Sequence, residues 1–174
     1  MAVSEHCQQP WLERTWHEWT VNKDTSQIME ELLLFPGQVS ELVKSIEPSK
    51  RTQISDGAWS IQEHVGHLLA MESLWIARLD NFELNHEVLR PWNGHNNDVR
   101  AARFNEQSIQ ALCRDLSDIR TAFVEFVGEM SDIAWQRRIY HERLQIHFML
   151  KDHLAFIVEH DQHHLKTIQN LMHA

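Results

Sequence analysis

Apolar residues recur at intervals of three and four along most of this chain, which is the spacing that one face of an α-helix requires. Residues 98–130 show the pattern most clearly and predict one long helix, whose apolar stripe consists of Ile109, Leu112, Leu116, Ile119, Phe123, Phe126 and Met130. Glycine (5) and proline (4) are scarce, and no segment indicates a convincing pair of strands. The chain therefore favours an all-α fold over a turn-rich β fold.

Three further segments have the same helical periodicity. Residues 24–46 predict a helix in two pieces, because Pro36 cannot donate a hydrogen bond to the preceding turn. The run Ser60-Ile-Gln-Glu63 is typical of a capping box and predicts the start of a helix of about twenty residues. The last helix is expected over residues 149–172. Four amphipathic helices predict a four-helix bundle.

The segments between the helices indicate how the bundle is connected. Residues 81–97 are polar and are longer than a tight helix hairpin requires, so we expect a long crossover connection there. Residues 131–147 predict irregular structure with short extended pieces. We interpret residues 1–23, which contain three tryptophans, as an extension that packs on the bundle or on a partner subunit, and residues 24–174 as one domain.

Charge and composition exclude several classes of function. The formal net charge is −9 without a cluster of Lys and Arg, so we expect no nucleic-acid partner. The longest apolar runs are too short to cross a membrane, and no signal peptide opens the chain, so the expected location is cytoplasmic. Cys7 and Cys113 lie far apart and belong to no CxxC or Cys-His arrangement. We therefore expect neither a disulfide nor a nucleophilic cysteine, and interpret Cys113 as a small core residue.

Two histidines in the last helix suggest a metal site. His160 and His164 lie one turn apart, separated by about 40° of arc, on the same face as the flanking apolar residues. Neutral imidazoles in this arrangement can bind one divalent ion of zinc, nickel, copper or iron. With 13 histidines in 174 residues, about one such pair is expected by chance. Two packed, hydrogen-bonded histidines are therefore the alternative interpretation.

A bundle brings inward-facing residues of different helices together, so a third ligand is expected on another helix. His67 is the natural choice, and three histidines would leave a coordination position open, as in catalytic sites. His64, one turn earlier, competes with His67, although its placement favours a role in the capping turn or at the surface. Since His153 lies about 10 Å along the helix from His160, it cannot share the ion and is expected to line a pocket. His163 is expected to be exposed.

Two carboxylates lie near these histidines in the predicted bundle. Glu72 projects from an apolar stripe, where a carboxylate needs a partner, so we expect a structural bond to another helix before a role as general base or fourth ligand. Asp161 is a candidate acceptor for the far N–H of a ligating imidazole, because metal-bound histidines usually have such a partner. The alternative for Asp161 is a solvated charge on the helix surface.

Two runs of this sequence resemble the DinB-like superfamily. Trp59-Ser-Ile-Gln-Glu-His-Val-Gly-His-Leu68 is similar to the start of that family's second helix, and Leu154-Ala-Phe-Ile-Val-Glu-His-Asp-Gln-His-His-Leu165 to its last helix. Together with the spacing and the chain length, the resemblance covers roughly residues 24–172. The segment Arg143-Leu-Gln-Ile-His-Phe148 lacks the Gly-containing turn and the Thr cap that relatives often have there, so the loop beside the pocket is expected to differ.

The resemblance implies a chemistry as well as a fold. Matched to the family's motifs, the metal ligands are His67, His160 and His164, and their nitrogen donors favour Zn²⁺ or Ni²⁺. The family's activities include metal-dependent transfer of low-molecular-weight thiols and related isomerase or hydrolase reactions. We therefore expect a homodimeric enzyme that activates water or a thiol for attack on a small molecule. Because no clear general base is evident, a non-catalytic metal-binding bundle and a dimerising interaction module are the alternatives.

Overall fold

The computed structural model describes residues 16–54, 57–94 and 96–173 and is predominantly helical. In chain order its elements are α1 (Trp16–Val21), α2 (Thr25–Lys44), α3 (Pro48–Arg51), α4 (Ile61–Leu84), α5 (Asn96–Ala101), a 3-10 turn (Phe104–Glu106), α6 (Ile109–Glu129), α7 (Asp132–Gln136), β1 (Ile139–His141), β2 (Ile146–Phe148) and α8 (Leu150–Met172). The four long helices form a bundle in which α6 and α8 each pack against both α2 and α4. The predicted all-α four-helix bundle is confirmed.

The structure joins one predicted helix into a single piece and confirms the start of another. Helix α2 is continuous from Thr25 to Lys44 and contains Pro36, so the prediction of two pieces is wrong. Pro36 is buried beside Phe35 and Val39, and this packing offsets the hydrogen bond that proline cannot donate. Helix α4 begins as predicted, since the Ser60 hydroxyl accepts from the Glu63 N–H at 3.1 Å and the Glu63 carboxylate accepts from the Ser60 N–H at 2.8 Å.

The single long helix expected over residues 98–130 is also wrong. The chain ends α5 at Ala101, passes Arg103 in the left-handed conformation (φ 53°) and begins α6 only after Ser108. Phe104 causes this break, because its ring packs directly on Gly66 of α4 and draws the chain towards that helix. The Ser108 hydroxyl then caps the new helix by accepting from the Ala111 N–H.

A short antiparallel hairpin lies before the last helix, where no strand pair was predicted. Strand β1 pairs with β2 in a register that places Tyr140 opposite His147. The connection after α4 is attached to the hairpin, since Leu89 N–H donates to the Tyr140 carbonyl at 2.9 Å and Tyr140 N–H to the Glu87 carbonyl at 3.0 Å. Strands of three residues are too short to show a period of two in the sequence. The hairpin matters because its turn borders the cavity described below.

The core consists of two apolar clusters that follow one another along the bundle. The first includes Trp16, whose indole packs against Phe148 and Phe156, so helix α1 lies on the bundle. The second includes Cys113, which confirms its interpretation as a buried core residue, while Cys7 lies outside the described residues. The buried polar groups considered next lie where the two clusters meet. None of the helices in the described part of the chain is long and apolar enough to cross a bilayer.

Candidate metal centre

Three imidazoles from two helices meet inside the bundle. His67 lies on α4, His160 and His164 lie on α8, and one nitrogen of each ring lies within 4.8 Å of the corresponding nitrogens of the others. The Nε2 atoms of His67 and His160 are 3.3 Å apart. All three side chains are buried. The structure therefore brings together the three residues that were expected as metal ligands.

The donor set fits a divalent metal ion. Two nitrogens that bind one zinc ion tetrahedrally at about 2.1 Å are about 3.4 Å apart, close to the separation between His67 and His160. Burial, together with the charges that His160 and His64 would carry, lowers the pKa of His67 to about 3. Burial likewise lowers the pKa of His164. Both rings are therefore neutral at physiological pH, and neutral imidazole is the form that binds metals.

His64 belongs to the same cluster. Its Nδ1 lies 2.9 Å from the Nδ1 of His164, and its side chain is buried, with a pKa lowered to about 4 chiefly by burial. His64 thus lies in the capped first turn of α4, as expected, but the expectation that its side chain packs at the surface is wrong. His64 does not belong to the group of nitrogens that lie within 4.8 Å of one another. Of the three ligand candidates, its ring nitrogen contacts only His164. Since one Nδ1 must donate and the other accept, this pair fixes complementary tautomers on the two rings.

Trp59 covers the histidines on one side. Its indole is nearly parallel to the His164 ring at a centroid distance of 6.2 Å, and it packs at 4.8 Å from His67 and 5.4 Å from His64. It precedes the Ser60 cap of α4, so the start of that helix fixes its position. The indole therefore contacts three of the clustered imidazoles and limits how far they can rotate.

A buried ion cluster lies beside His160. The Arg120 guanidinium of α6 donates to both Glu72 oxygens, with Nε at 3.1 and 3.2 Å, and its Nη1 donates to Asp161 Oδ2 at 2.6 Å. All three side chains are almost completely buried. Burial alone disfavours the charged guanidinium, but the carboxylates of Asp161 and Glu72 raise the pKa of Arg120 above its ordinary value. Glu72 thus has the structural partner that was expected on another helix.

Asp161 connects this cluster to the histidines. It is 1% exposed, which excludes the alternative of a solvated helix charge. Its Oδ1 lies 3.6 Å from the Nδ1 of His160, which is beyond hydrogen-bond length. Its other oxygen is held by Arg120. The expected bond from a ligating imidazole to Asp161 thus stays a prediction.

The histidines open into a cavity of about 920 Å³. Its walls come from the start and middle of α4, the connection after α4, the hairpin turn and the middle of α8. His163 is exposed at its edge, as expected, whereas His153 is completely buried and does not line it. The prediction that His153 lines a pocket is therefore wrong. Instead, its ring packs between the aromatic residues Trp75 and Phe82.

The sequence profile of the DinB superfamily matches residues 31–168, which is most of the chain. This chain belongs to the DinB superfamily. No curated protein sequence gives a significant match. Solved structures that share the fold of this chain provide the further comparisons.

Two solved structures share the fold of this DinB protein. YfiT from Bacillus subtilis, described as a probable metal-dependent hydrolase with an unusual four-helix bundle topology, superposes with a TM-score of 0.71 at 18% identity over 86% of each chain. A mycothiol-dependent maleylpyruvate isomerase superposes with a TM-score of 0.64 at 12% identity. This superposition covers 88% of the present chain and 62% of the isomerase, which is the longer protein. At these identities the comparisons establish the fold.

Several residues of this DinB site were missed in the sequence. Trp59 directly precedes the capping box of α4, and Arg120 interrupts the apolar stripe of α6 between Leu116 and Phe123. Both residues could therefore have been recognised from their neighbours in the sequence. Arg78 and His141 line the cavity but have no spacing that relates them to the histidine pair. Only the packing of α4 on the hairpin brings them to the cavity wall.

Proposed function

We propose that this protein is a metal-dependent enzyme in which a divalent ion, zinc or nickel, binds to His67, His160 and His164. The ion would serve a reaction in which water or a low-molecular-weight thiol attacks a small molecule. The observation that supports this most strongly is the cavity of about 920 Å³ into which the three histidines open. A purely structural metal site is closed by a fourth protein ligand, whereas a catalytic one leaves a position for water or substrate.

Each part of the chain has a defined task in this proposal. A bound divalent metal lowers the pKa of a water or thiol and polarises a carbonyl group. His64 would hold His164 in the tautomer that leaves one nitrogen free as a ligand. Trp59 would exclude water on one side of the rings, and the Arg120 cluster would fix α8 against α4 and α6.

The structural neighbours support both parts of the proposed chemistry. One is described as a probable metal-dependent hydrolase, which corresponds to attack by water. The other is described as a mycothiol-dependent isomerase, which corresponds to the use of a small thiol. The open cavity also favours an enzyme over a bundle that binds a metal without turnover, since a non-catalytic site needs no space beside the ion.

The test is a panel of reactions with three matched proteins. Wild type, His160→Ala and the surface variant His173→Ala are loaded with zinc or with nickel. Each is assayed for hydrolysis of p-nitrophenyl acetate and for substitution of the chloride of 1-chloro-2,4-dinitrobenzene by the thiol of cysteine or glutathione, which releases chloride and a proton. We expect turnover above the uncatalysed rate in wild type and His173→Ala, and none in His160→Ala. Equal rates in wild type and His160→Ala would contradict the proposal.

A further inference from the structure

A buried arginine forms part of the cavity wall away from the histidines. Arg78 of α4 is 3% exposed, and its Nε donates to the carbonyl oxygen of Arg90 at 2.9 Å. Its Nη1 is buried without a hydrogen-bond partner among residues 16–54, 57–94 and 96–173. Within the same residues no carboxylate forms an ion pair with it. An unpaired buried charge is costly, so a cation kept in this position indicates that something else supplies the negative charge.

The groups around Arg78 do not neutralise it. His141 and His153 lie close enough that its charge, after burial, helps to lower the pKa of both imidazoles, which are therefore neutral. Arg143 and Glu142 on the hairpin turn also line the cavity. Both side chains are exposed and their charges are opposite, so they offset each other, and Glu142 forms no ion pair with Arg78 among the described residues. The buried charge at this end of the cavity is therefore the single cation of Arg78.

Trp75 links this positive end to the histidines. Its indole contacts the His160 ring at a centroid distance of 5.4 Å, and the Arg78 Cζ lies 5.5 Å from the centroid of the same indole. The guanidinium and the imidazole are therefore separated by little more than one aromatic side chain. Trp75, Met71, Leu74 and Leu89 make the surface between them largely apolar. A short molecule with an anionic end and an apolar body would fit between the two groups.

We propose that Arg78 forms a carboxylate-binding subsite, so that the substrate of this enzyme is a small carboxylic acid whose reacting end faces His67, His160 and His164. The inference rests on the proposed function for the identity of that reacting end. A planar guanidinium matches a carboxylate in geometry, and one buried cation matches its single negative charge. A phosphate ester, with nearly two charges at neutral pH, would be only partly neutralised at this position.

The test measures binding of three six-carbon probes that differ only in their head group. Hexanoate, 1-hexanol and hexyl phosphate are titrated by calorimetry into metal-free and into zinc-loaded protein at neutral pH. The proteins are wild type, Arg78→Gln, Arg78→Lys and the control Arg114→Gln, which removes an exposed arginine from the surface of α6. Circular dichroism and zinc content are recorded for every preparation.

We expect metal-free wild type and Arg114→Gln to bind hexanoate about tenfold more tightly than 1-hexanol. Arg78→Gln should remove this preference and leave the affinity for 1-hexanol within about twofold. Arg78→Lys keeps the charge but not the paired donors of the guanidinium, so it should retain part of the preference for hexanoate. This variant serves as the test if Arg78→Gln does not fold. The subsite is contradicted by equal binding of hexanoate and 1-hexanol to wild type, by tighter binding of hexyl phosphate, or by a preference that survives in Arg78→Gln.

The two proposals can fail separately in this experiment. Zinc retained without any hexanoate preference would overturn the subsite and leave the metal centre standing. A preference for hexanoate that depends on Arg78, in protein that can be loaded with neither zinc nor nickel, would overturn the metal-dependent reaction and with it the assignment of the carboxylate as substrate.

Discussion

The Nδ1 atoms of His64 and His164 lie 2.9 Å apart, which joins the first turns of α4 to the centre of α8. One of the two nitrogens must carry a proton and donate a hydrogen bond to the other. When His164 is the donor, its Nε2 carries a lone pair and is available as a ligand. Such partners of ligating histidines fix both the tautomer and the orientation of the ring.

Replacing His64 by Phe should therefore weaken metal binding by about 10- to 100-fold without abolishing it. The larger apolar ring keeps the packing against Trp59 but offers no hydrogen bond to His164. Competition with a chromophoric zinc chelator measures the change, and His173→Phe, at the exposed end of α8, is the matched control. An affinity equal to that of wild type would show that His64 has no influence on the metal.

Replacing Arg120 by Met should destabilise the protein by about 3–5 kcal/mol. The substitution keeps much of the side-chain volume but leaves the carboxylates of Glu72 and Asp161 buried without their shared cation. Urea denaturation of the metal-free protein measures the loss. The control Arg114→Met removes an exposed arginine of the same helix and should change stability by less than about 0.5 kcal/mol. Similar stabilities of the two variants would contradict a structural role for the cluster.

Gly66→Ala should destabilise the protein by about 1–3 kcal/mol, because the new Cβ would overlap the ring of Phe104. The chain must then move away from α4 at the break between α5 and α6. Gly128→Ala is the control, since a Cβ there meets no atom within 4 Å and should stabilise α6 slightly. Thermal unfolding of both variants checks the prediction. If Gly66→Ala unfolds at or above the wild-type temperature, the close contact is not a constraint.

The buried His153 should make the stability of the metal-free protein depend on pH. Burial, followed by the charges of Arg78 and His141, lowers its pKa well below the ordinary value of 6.5. The unfolded chain therefore takes up a proton that the folded state does not. The stability that the neutral ring contributes is complete above pH 6.5 and is lost as the pH falls below it, at up to about 1.4 kcal/mol per pH unit.

Urea titrations between pH 8 and pH 5 test this dependence. Below pH 6.5 the free energy of unfolding of His153→Leu should decline less steeply than that of wild type, by up to about 1.4 kcal/mol per pH unit. The reason is that the substitution removes the difference in proton uptake between the folded and unfolded states. His173→Leu, which alters an exposed ring, should follow the wild-type slope. Parallel curves for wild type and His153→Leu would mean that His153 titrates alike in both states.

Features that depend on neighbours in the chain were predictable from the sequence. The periodicity of α6, the Ser60–Glu63 capping box and the one-turn spacing of His160 and His164 all arise within single helices. The convergence of His67 on that pair could also be anticipated, since a bundle directs apolar stripes inward. The predicted need of Glu72 for a partner followed from burial alone.

Features that depend on contacts between distant segments were not predictable. The identity of Arg120 as the partner of Glu72 depends on how α6 and α4 are aligned, which their individual patterns do not contain. Phe104 ends a helix through its contact with Gly66, which is a tertiary constraint on a locally helical sequence. Pro36 shows the reverse case, because packing maintains a helix that local rules would interrupt.

Metal stoichiometry tests the central claim most directly. Untagged wild type, His67→Ala, His160→Ala and His173→Ala are purified side by side and analysed for transition metals by mass spectrometry. We predict close to one divalent ion per chain in wild type and in His173→Ala, and almost none in the other two variants. Wild-type protein that cannot be loaded with zinc or nickel, or His160→Ala protein that retains the full amount, would contradict a metal centre on His67, His160 and His164.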